Sequence, residues 1–140
     1  MQPTFVDSSV LLIAFGADSS RRDACRELVG QAAAGARELH VSVESLQEFL
    51  FHRLRVSDRS TALEQASHLT AMCVAHRFDD AVWVETLALV GSTSLRGRDA
   101  VIAATARGAG FMEIVSLDHD FDGIPGLIRV EPETAVARTR

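Results

Sequence analysis

Lysine is absent from this sequence, and all 14 of its basic residues are arginine. The lack of an ammonium side chain excludes the P-loop lysine, the Schiff-base lysine and the lysine-assisted phosphoaspartate site. Cysteine is nearly absent as well, because only Cys25 and Cys73 occur, far apart in the chain. This spacing fits neither a disulfide framework nor paired zinc ligands. We therefore expect both cysteines to be small core residues in a reducing compartment.

Proline and long apolar runs are also scarce. Only three prolines occur while 47% of the residues are apolar, which is typical of a compact globule. No apolar run approaches the ~18 residues that a membrane span needs, and residues 1–12 contain no basic region before an apolar segment. We expect a cytoplasmic protein without a membrane association, and a chain of 140 residues suits one domain, 1–140.

The formal net charge of -5 argues at first against a nucleic-acid partner, because binding to a polyanion is driven largely by neutralisation of phosphates. That argument depends on where the 19 acidic residues lie. If several of them converge on a metal ion, the bound cation cancels their charge locally, and arginines elsewhere remain free to hold a phosphate backbone.

Short apolar runs alternate with segments of helical periodicity along the whole chain, which predicts an α/β fold with a mostly parallel sheet of four to five strands and helices on both faces. The predicted strands are the opening run that ends at Asp7 and residues 39–41, 72–75, 112–116 and 127–130. The first predicted helix covers residues 8–15, and the second begins after the capping residues Asp18, Ser19 and Ser20 and ends at about residue 34. Four more helices are predicted at residues 43–56, 59–70, 80–91 and 99–107. We expect Trp83, Leu87 and Val90 to form the buried face of the fifth helix, and the last residues to fray.

Three carboxylates stand where this fold places ligands. Asp7 follows the first strand, Asp118 follows the fourth, and Asp99 opens the sixth helix. The carboxyl ends of parallel strands share one edge of a sheet, so these acids are expected to converge there. Like charges raise each other's pKa, and a hard divalent cation resolves the conflict at neutral pH. Oxygen ligands favour Mg²⁺ or Mn²⁺ over zinc, and such a site supports hydrolysis of a phosphodiester.

Each of these acids also has a simpler interpretation. Asp7 fits a helix N-cap, and Asp99 in a first turn gains from the helix dipole. Glu44 and Glu48 lie one turn apart on the third helix, and periodicity does not choose between them. An aspartate-nucleophile phosphatase would need a second acid where this chain has Ser9.

The loop DHDFDG at residues 118–123 resembles the start of an EF-hand. Its twelfth position is Arg129 instead of glutamate, and a strand instead of a helix precedes it, so a calcium loop is not expected. His119, between two aspartates, is interpreted as a solvated loop residue.

Four stretches together resemble the PIN-domain ribonucleases, and most closely the VapC-type toxins of bacterial type II toxin–antitoxin pairs. They are FVDSSVLL, HVSVESLQEFL, RGRDAVIAATARGAG and IVSLDHDFDGIPGL, and they span nearly the whole chain in the family's order and spacing. The resemblance implies a PIN-like three-layer sandwich. The departures are small, since Ser8 and Ser116 stand where threonine is frequent.

By resemblance, the catalytic and metal-binding acids would be Asp7, Glu48, Asp99 and Asp118, with Asp120 as an auxiliary ligand. Glu48 is preferred to Glu44 because it lies six residues beyond Ser42 and precedes an apolar residue, as in the family pattern. Ser9 and Ser116 match positions where a hydroxyl helps to orient the acids.

The resemblance further implies a Mg²⁺- or Mn²⁺-dependent endoribonuclease, usually a homodimer, with RNA as substrate and a small VapB-like antitoxin as inhibitor. Arg96 and Arg98 flank the acidic site and are candidates for phosphate contact, since guanidinium pairs with phosphate oxygens in a bidentate way. The alternative interpretation of both is a solvated loop arginine. Two alternatives remain open at this point: a housekeeping RNA-processing nuclease and a PIN-like scaffold that binds without cutting.

Overall fold

Five short parallel strands form the centre of the molecule in a computed structural model, which describes residues 2–16 and 19–139. The strands are β1 (Gln2–Phe5), β2 (Arg37–Ser42), β3 (Cys73–His76), β4 (Glu113–Val115) and β5 (Ile128–Val130). β1, β2 and β3 form one ladder and β4 and β5 another, and a parallel bridge from Val6 to Val115 joins β1 to β4. The strand order is therefore β3-β2-β1-β4-β5, which confirms the expected parallel sheet.

Helices connect the strands and close the chain. Within the described residues they are α1 (Ser8–Ala14), α2 (Arg22–Ala33), α3 (Val43–Val56), α4 (Arg59–Met72), α5 (Asp80–Ser92), α6 (Gly97–Gly108) and α7 (Pro132–Ala137), with a 3₁₀ turn at His119–Phe121. Ser42, Asp58 and Asp79 cap α3, α4 and α5 through their side-chain oxygens. Asp18, which we predicted as a cap for α2, lies outside the described residues.

The helices form two layers around the sheet, as a three-layer sandwich requires. One core cluster joins the sheet to α1, α2, α3, α4 and α7, and includes Leu11, Leu28 and Phe49. The other joins the opposite face to α5 and α6, where the buried alanines of α6 permit close packing. Cys25 is buried, Cys73 is partly buried, and both are free thiols.

The prediction for the buried face of α5 was wrong. The helix buries Val82, Thr86 and Leu89, while Trp83 and Leu87 face outward. Apolar residues surround almost the whole helix, so helical periodicity does not identify one face. The consequence is an exposed apolar stripe on the surface of α5.

The prediction that the last residues fray was also wrong for residues 132–137, which form α7. Pro132 begins this helix at a position where a missing N–H is tolerated. Ala135 and Val136 are buried, and the Gln31 side chain donates to the Val136 carbonyl at 3.2 Å. The closing helix is thus packed against α2.

The direction of chain connection reverses at β1. The chain passes from β1 to β2 and β3 on one side, and then crosses through α5 and α6 to β4 on the other side of β1. In open α/β sheets, ligands bind at the carboxyl edge beside such a reversal. Asp7 and Asp118 follow the two strands that flank this point. None of the helices within residues 2–16 and 19–139 is long and apolar enough to cross a membrane.

Candidate active site

Asp7 is a buried carboxylate at the carboxyl end of β1 and is also the N-cap of α1. Its Oδ1 accepts hydrogen bonds from the Ser9 backbone N–H at 3.2 Å and from the Ser9 hydroxyl at 2.6 Å. Burial raises the pKa of Asp7 to about 7 although hydrogen bonds from Ser9 and Ser116 oppose the rise, and the charges of Asp118 and Asp99 add to it. The capping role and a position in an acidic site therefore coexist.

Two serines connect the end of β1 to the end of β4. Besides donating to Asp7, the Ser9 hydroxyl accepts a hydrogen bond from the Leu117 N–H at 3.2 Å. The Ser116 hydroxyl accepts from the Asp118 N–H at 2.9 Å and hydrogen-bonds Asp7. These bonds fix the position of Asp7 relative to Asp118. Both serines are the residues that the family resemblance implied as supporting hydroxyls.

Asp99, Asp118 and Asp120 form the tightest acidic group in the described part of the chain. One carboxylate oxygen from each lies within 4.8 Å of the other two. Asp118 accepts from the Asp120 N–H at 2.9 Å, so the 3₁₀ turn places both side chains at this edge. Burial raises the pKa of Asp99 to about 6, with further contributions from Asp118, Asp120 and Glu48. Asp120, implied only as an auxiliary, is a full member of this trio by geometry.

Glu48 borders the trio from α3. Its Oε2 accepts from the Ser8 hydroxyl at 2.5 Å, and its Oε1 lies 3.4 Å from Nη1 of Arg98. Glu44 lies one turn earlier, where its Oε2 is buried without a hydrogen-bond partner. The charge of Glu48 contributes to the raised pKa of Asp99, after burial and the charges of Asp118 and Asp120, so Glu48 lies close to the acidic group.

Sequence reasoning missed the contact of Ser8. Its hydroxyl holds Glu48, which is 40 residues away in the chain. The available signal was a hydroxyl residue directly after Asp7, in the first turn of the helix that Asp7 caps. A contact between two helices so distant in sequence is not visible in periodicity.

The two candidate phosphate-binding arginines differ. Arg98 is half exposed and is paired with Glu48, whereas Arg96 is exposed at the N-terminus of α6. His119 is a largely exposed loop residue, as interpreted from the sequence, and its Nδ1 lies 2.8 Å from Asp122.

The acidic group fits a hard divalent cation. Its donors are all carboxylate oxygens, which Mg²⁺ and Mn²⁺ prefer. Ligands at ~2.1 Å from one octahedral ion lie ~3.0 Å apart when adjacent and ~4.2 Å apart when opposite, so three oxygens within 4.8 Å of one another are close enough to approach a shared ion. Burial, followed by the charges of neighbouring carboxylates, raises the pKa values of Asp7 and Asp99, and a bound cation would favour their ionised forms.

Comparisons with known proteins identify the family of this chain. Residues 4–127 match the PIN domain family model. The chain is 33% identical to Ribonuclease VapC7 of Mycobacterium tuberculosis over 134 residues, which cover 93% of this chain and 92% of the relative.

Solved structures share the fold at lower identity. VapBC2 of Rickettsia felis, bound to a DNA fragment from its promoter, superposes with a TM-score of 0.74 at 13% identity, covering 93% of this chain and 98% of that chain. VapC20 of Mycobacterium tuberculosis, a toxin that cleaves the sarcin–ricin loop, gives 0.68 at 18% identity, covering 88% and 97%. On the match over most of its length, this chain belongs to the PIN-domain family and is of the VapC type.

Proposed function

We propose that this chain is a Mg²⁺- or Mn²⁺-dependent endoribonuclease that acts as the toxin of a type II toxin–antitoxin pair. The observation that carries the proposal is the convergence of Asp99, Asp118 and Asp120 beside the buried Asp7, at the chain reversal of a parallel sheet. Carboxylates gathered without a matching set of cations are suited to hold a divalent metal, and metal-assisted hydrolysis is the chemistry that such a site supports.

In the proposed mechanism, Asp7, Glu48, Asp99 and Asp118, with Asp120 as an auxiliary, would hold one or two divalent ions. When bound, these ions would supply an activated water for in-line attack on the RNA phosphodiester and stabilise the leaving oxygen. Ser9 and Ser116 keep Asp7 in position, and Ser8 does the same for Glu48. Supporting hydrogen bonds of this kind orient ligands and are themselves important for metal affinity.

Arg98 has a proposed role in binding the RNA backbone. Its guanidinium lies against Glu48 and remains half exposed, so it is able to exchange this carboxylate for a phosphate oxygen. The exposed Arg96, two residues earlier, would add a second contact. Together these cations would draw a polyanion to the edge of a protein whose net charge is -5.

Relatives support the toxin assignment. The similar protein VapC7 is named a ribonuclease, and the Rickettsia felis structure is a VapBC assembly. We therefore propose that a VapB-like antitoxin binds and inhibits this chain. We also propose that its 140 residues act as one PIN-like domain in the cytoplasm, where RNA substrates are present.

We further propose a homodimer that covers the apolar stripe of α5. Trp83, Val84 and Leu87 are 51%, 66% and 54% exposed, and Val90 extends the same face. An exposed apolar stripe of this kind marks an interaction surface. The variant Leu87→Glu should shift the protein to monomers in light scattering, whereas Leu63→Glu on α4 serves as a matched exposed control. A dimer that survives Leu87→Glu would place the interface elsewhere.

The decisive experiment is incubation of purified, antitoxin-free protein with total RNA, with and without Mg²⁺, followed by mapping of the cut ends. We expect Mg²⁺-dependent internal cuts that Asp99→Asn abolishes. Asp122→Asn is the matched control, because Asp122 belongs to the same loop as Asp118 and Asp120 but its carboxylate pairs with Arg129 and His119. Cleavage by Asp99→Asn at the wild-type rate would refute the site.

Two observations separate a toxin from the alternative roles. A toxin gene should have a short antitoxin reading frame immediately upstream, and expression of the chain alone should arrest growth. Asp7→Asn should remove that toxicity while the protein still folds, because asparagine also caps helices. A housekeeping nuclease would cut RNA without arresting growth, and a scaffold would bind RNA without cutting it.

A further inference from the structure

A histidine pair lies outside the acidic site, on the neighbouring strands β2 and β3. Nδ1 of His40 and Nε2 of His76 are 2.9 Å apart. The two rings are nearly parallel, with centroids 5.2 Å apart and planes inclined by 25°. Two imidazole nitrogens therefore lie within hydrogen-bond distance of each other, although 36 residues separate them in the sequence.

Glu38 defines which nitrogen of His40 is available. Its Oε1 lies 2.7 Å from Nε2 of His40, and a carboxylate accepts hydrogen bonds, so the ring proton is held on Nε2. Glu38 and His40 are two residues apart on β2 and share one face of the sheet. The lone pair of His40 Nδ1 is thereby turned toward His76. A carboxylate on the far nitrogen is the arrangement that orients histidines in metal sites.

The surroundings of the pair are partly buried and aromatic. The His40 side chain is only 13% exposed, and the ring of Phe111 lies 4.9 Å from it between centroids. Burial lowers the pKa of His76, and the proximity of His40 lowers it further. Metal ions bind the neutral form of histidine, so the lowered pKa of His76 favours the form that can act as a ligand.

We propose that Nδ1 of His40 and Nε2 of His76 form a binding site for a borderline divalent transition-metal ion such as Zn²⁺ or Cu²⁺, with Glu38 as the carboxylate that orients His40. Two nitrogens that each lie ~2.0–2.1 Å from a tetrahedral ion are ~3.3 Å apart, so the observed 2.9 Å needs to widen by only a few tenths of an ångström. Water would fill the other positions. His76 would move its ring proton from Nε2 to Nδ1, and no proton leaves the protein.

This site is distinct from the acidic edge in chemistry. Imidazole nitrogens select zinc and copper, whereas the carboxylates of Asp99, Asp118 and Asp120 select Mg²⁺ or Mn²⁺. A metal bound to His40 and His76 would tie β2 to β3, and β2 leads into α3, which carries Glu48. Binding should therefore stabilise the folded protein by mass action, whether or not the chain cuts RNA.

The test uses the full chain with excess Mg²⁺, which occupies the acidic edge. Cu²⁺ binding is followed by electron paramagnetic resonance, and Zn²⁺ binding is followed by the change in Tm. We expect one Cu²⁺ per chain with an electron paramagnetic resonance signal split by two nitrogens, and a rise in Tm with Zn²⁺. His76→Ala should lower the Cu²⁺ affinity at least about tenfold, and Glu38→Gln should lower it about 10- to 100-fold. His68→Ala, at an exposed position on α4, should change neither measurement.

His40→Gln provides a second variant that retains hydrogen bonding if His40→Ala does not fold. A stoichiometric, two-nitrogen signal that disappears in folded His40→Gln and His76→Ala supports the site. If the wild type binds no Cu²⁺ at protein-stoichiometric concentrations, or if these variants bind as well as the wild type does, the pair is only a hydrogen-bonded contact and the proposal is overturned.

Discussion

Two buried charged side chains at opposite ends of the sheet have opposite surroundings. Asp7 lies at the carboxyl edge of β1, where burial raises its pKa and the charges of Asp118 and Asp99 raise it further. Arg37 lies at the amino end of β2 with 2% of its surface exposed. Arg37 donates to four neutral acceptors at 2.5–3.0 Å: Gln31 Oε1, Thr4 Oγ1, the Ala135 carbonyl and Thr139 Oγ1.

The difference separates a charge that the fold satisfies from one that, in the proposed mechanism, a metal ion satisfies. The hydrogen bonds of Arg37 replace those it made to water, and they join β1, β2 and α7. Asp7 has two hydroxyl partners, but the nearby charges of Asp118 and Asp99 are of its own sign. A buried charge that neighbours leave uncompensated is costly in the free protein and is favourable only when a ligand of opposite charge binds.

The comparison predicts first that Asp7→Asn stabilises the metal-free protein at neutral pH. The pKa of Asp7 rises from 3.8 to about 7 on folding, so the folded state binds more protons than the unfolded state in this window. Stability should therefore fall by up to about 4 kcal/mol as the pH rises from 4 to 7 in the wild type. The variant should lack this loss. Urea unfolding in EDTA at pH 5 and pH 8 measures this pH-dependent loss of stability. A variant less stable than the wild type at pH 8 would contradict the conclusion that Asp7 is an uncompensated buried charge.

Arg37→Met should have the opposite effect on stability. The substitution leaves the Thr4 hydroxyl and the Ala135 carbonyl without their donor, so the free energy of unfolding should fall by about 3 kcal/mol at all pH values near neutral. RNA cleavage per folded molecule should not change. Arg138→Met is the control, since Arg138 makes an exposed ion pair with Glu113 that contributes about 1 kcal/mol at most. Equal losses in both variants would mean that Arg37 is not a structural charge.

Ser8→Ala sharpens the comparison at the acidic edge. Removal of the hydroxyl that holds Glu48 should lower metal affinity or cleavage by about 10- to 100-fold while Tm stays close to the wild-type value. Ser92→Ala is the control, because the Ser92 hydroxyl only donates to the carbonyl of Ala88 in its own helix. If Ser8→Ala cuts RNA as fast as the wild type does, Glu48 needs no orienting partner.

The smallest expected effect concerns Arg98. Arg98→Ala should weaken RNA binding and lower the magnitude of the slope of log affinity against log salt by about 1, as loss of one phosphate contact does. Filter binding with a cleavage-deficient Asp99→Asn background measures this slope. Arg138→Ala, at the opposite edge, should leave the slope unchanged. A slope for Arg98→Ala equal to that of the wild-type Arg98 protein would mean that Arg98 does not contact the RNA backbone.

The sequence was sufficient to predict the parallel sheet and the convergence of Asp7, Asp99 and Asp118, because strand periodicity and strand ends are local signals. It did not distinguish Glu48 from Glu44, since both lie off the apolar stripe of α3 and only the family pattern selected one. The choice depends on how α3 is rotated against the sheet, which packing decides.

Two further features depended on long-range packing. The buried face of α5 was mispredicted because apolar residues surround the helix, and Thr86 is buried while Trp83 is exposed. The burial of Arg37 had no local signal, because its acceptors come from both ends of the chain. Local patterns thus predict the elements, whereas contacts between distant elements decide which charged residues are enclosed.

The most direct test of the central claim is a Mn²⁺ binding isotherm measured by electron paramagnetic resonance on the wild type, Asp99→Asn and the control Asp122→Asn. We predict bound Mn²⁺ in the wild type and the control, with affinity that falls as the pH is lowered through 7 and 6, because Asp7 and Asp99 take up protons there. Asp99→Asn should bind at least about tenfold more weakly. Binding that is absent in the wild type, or unchanged in Asp99→Asn, would contradict the account.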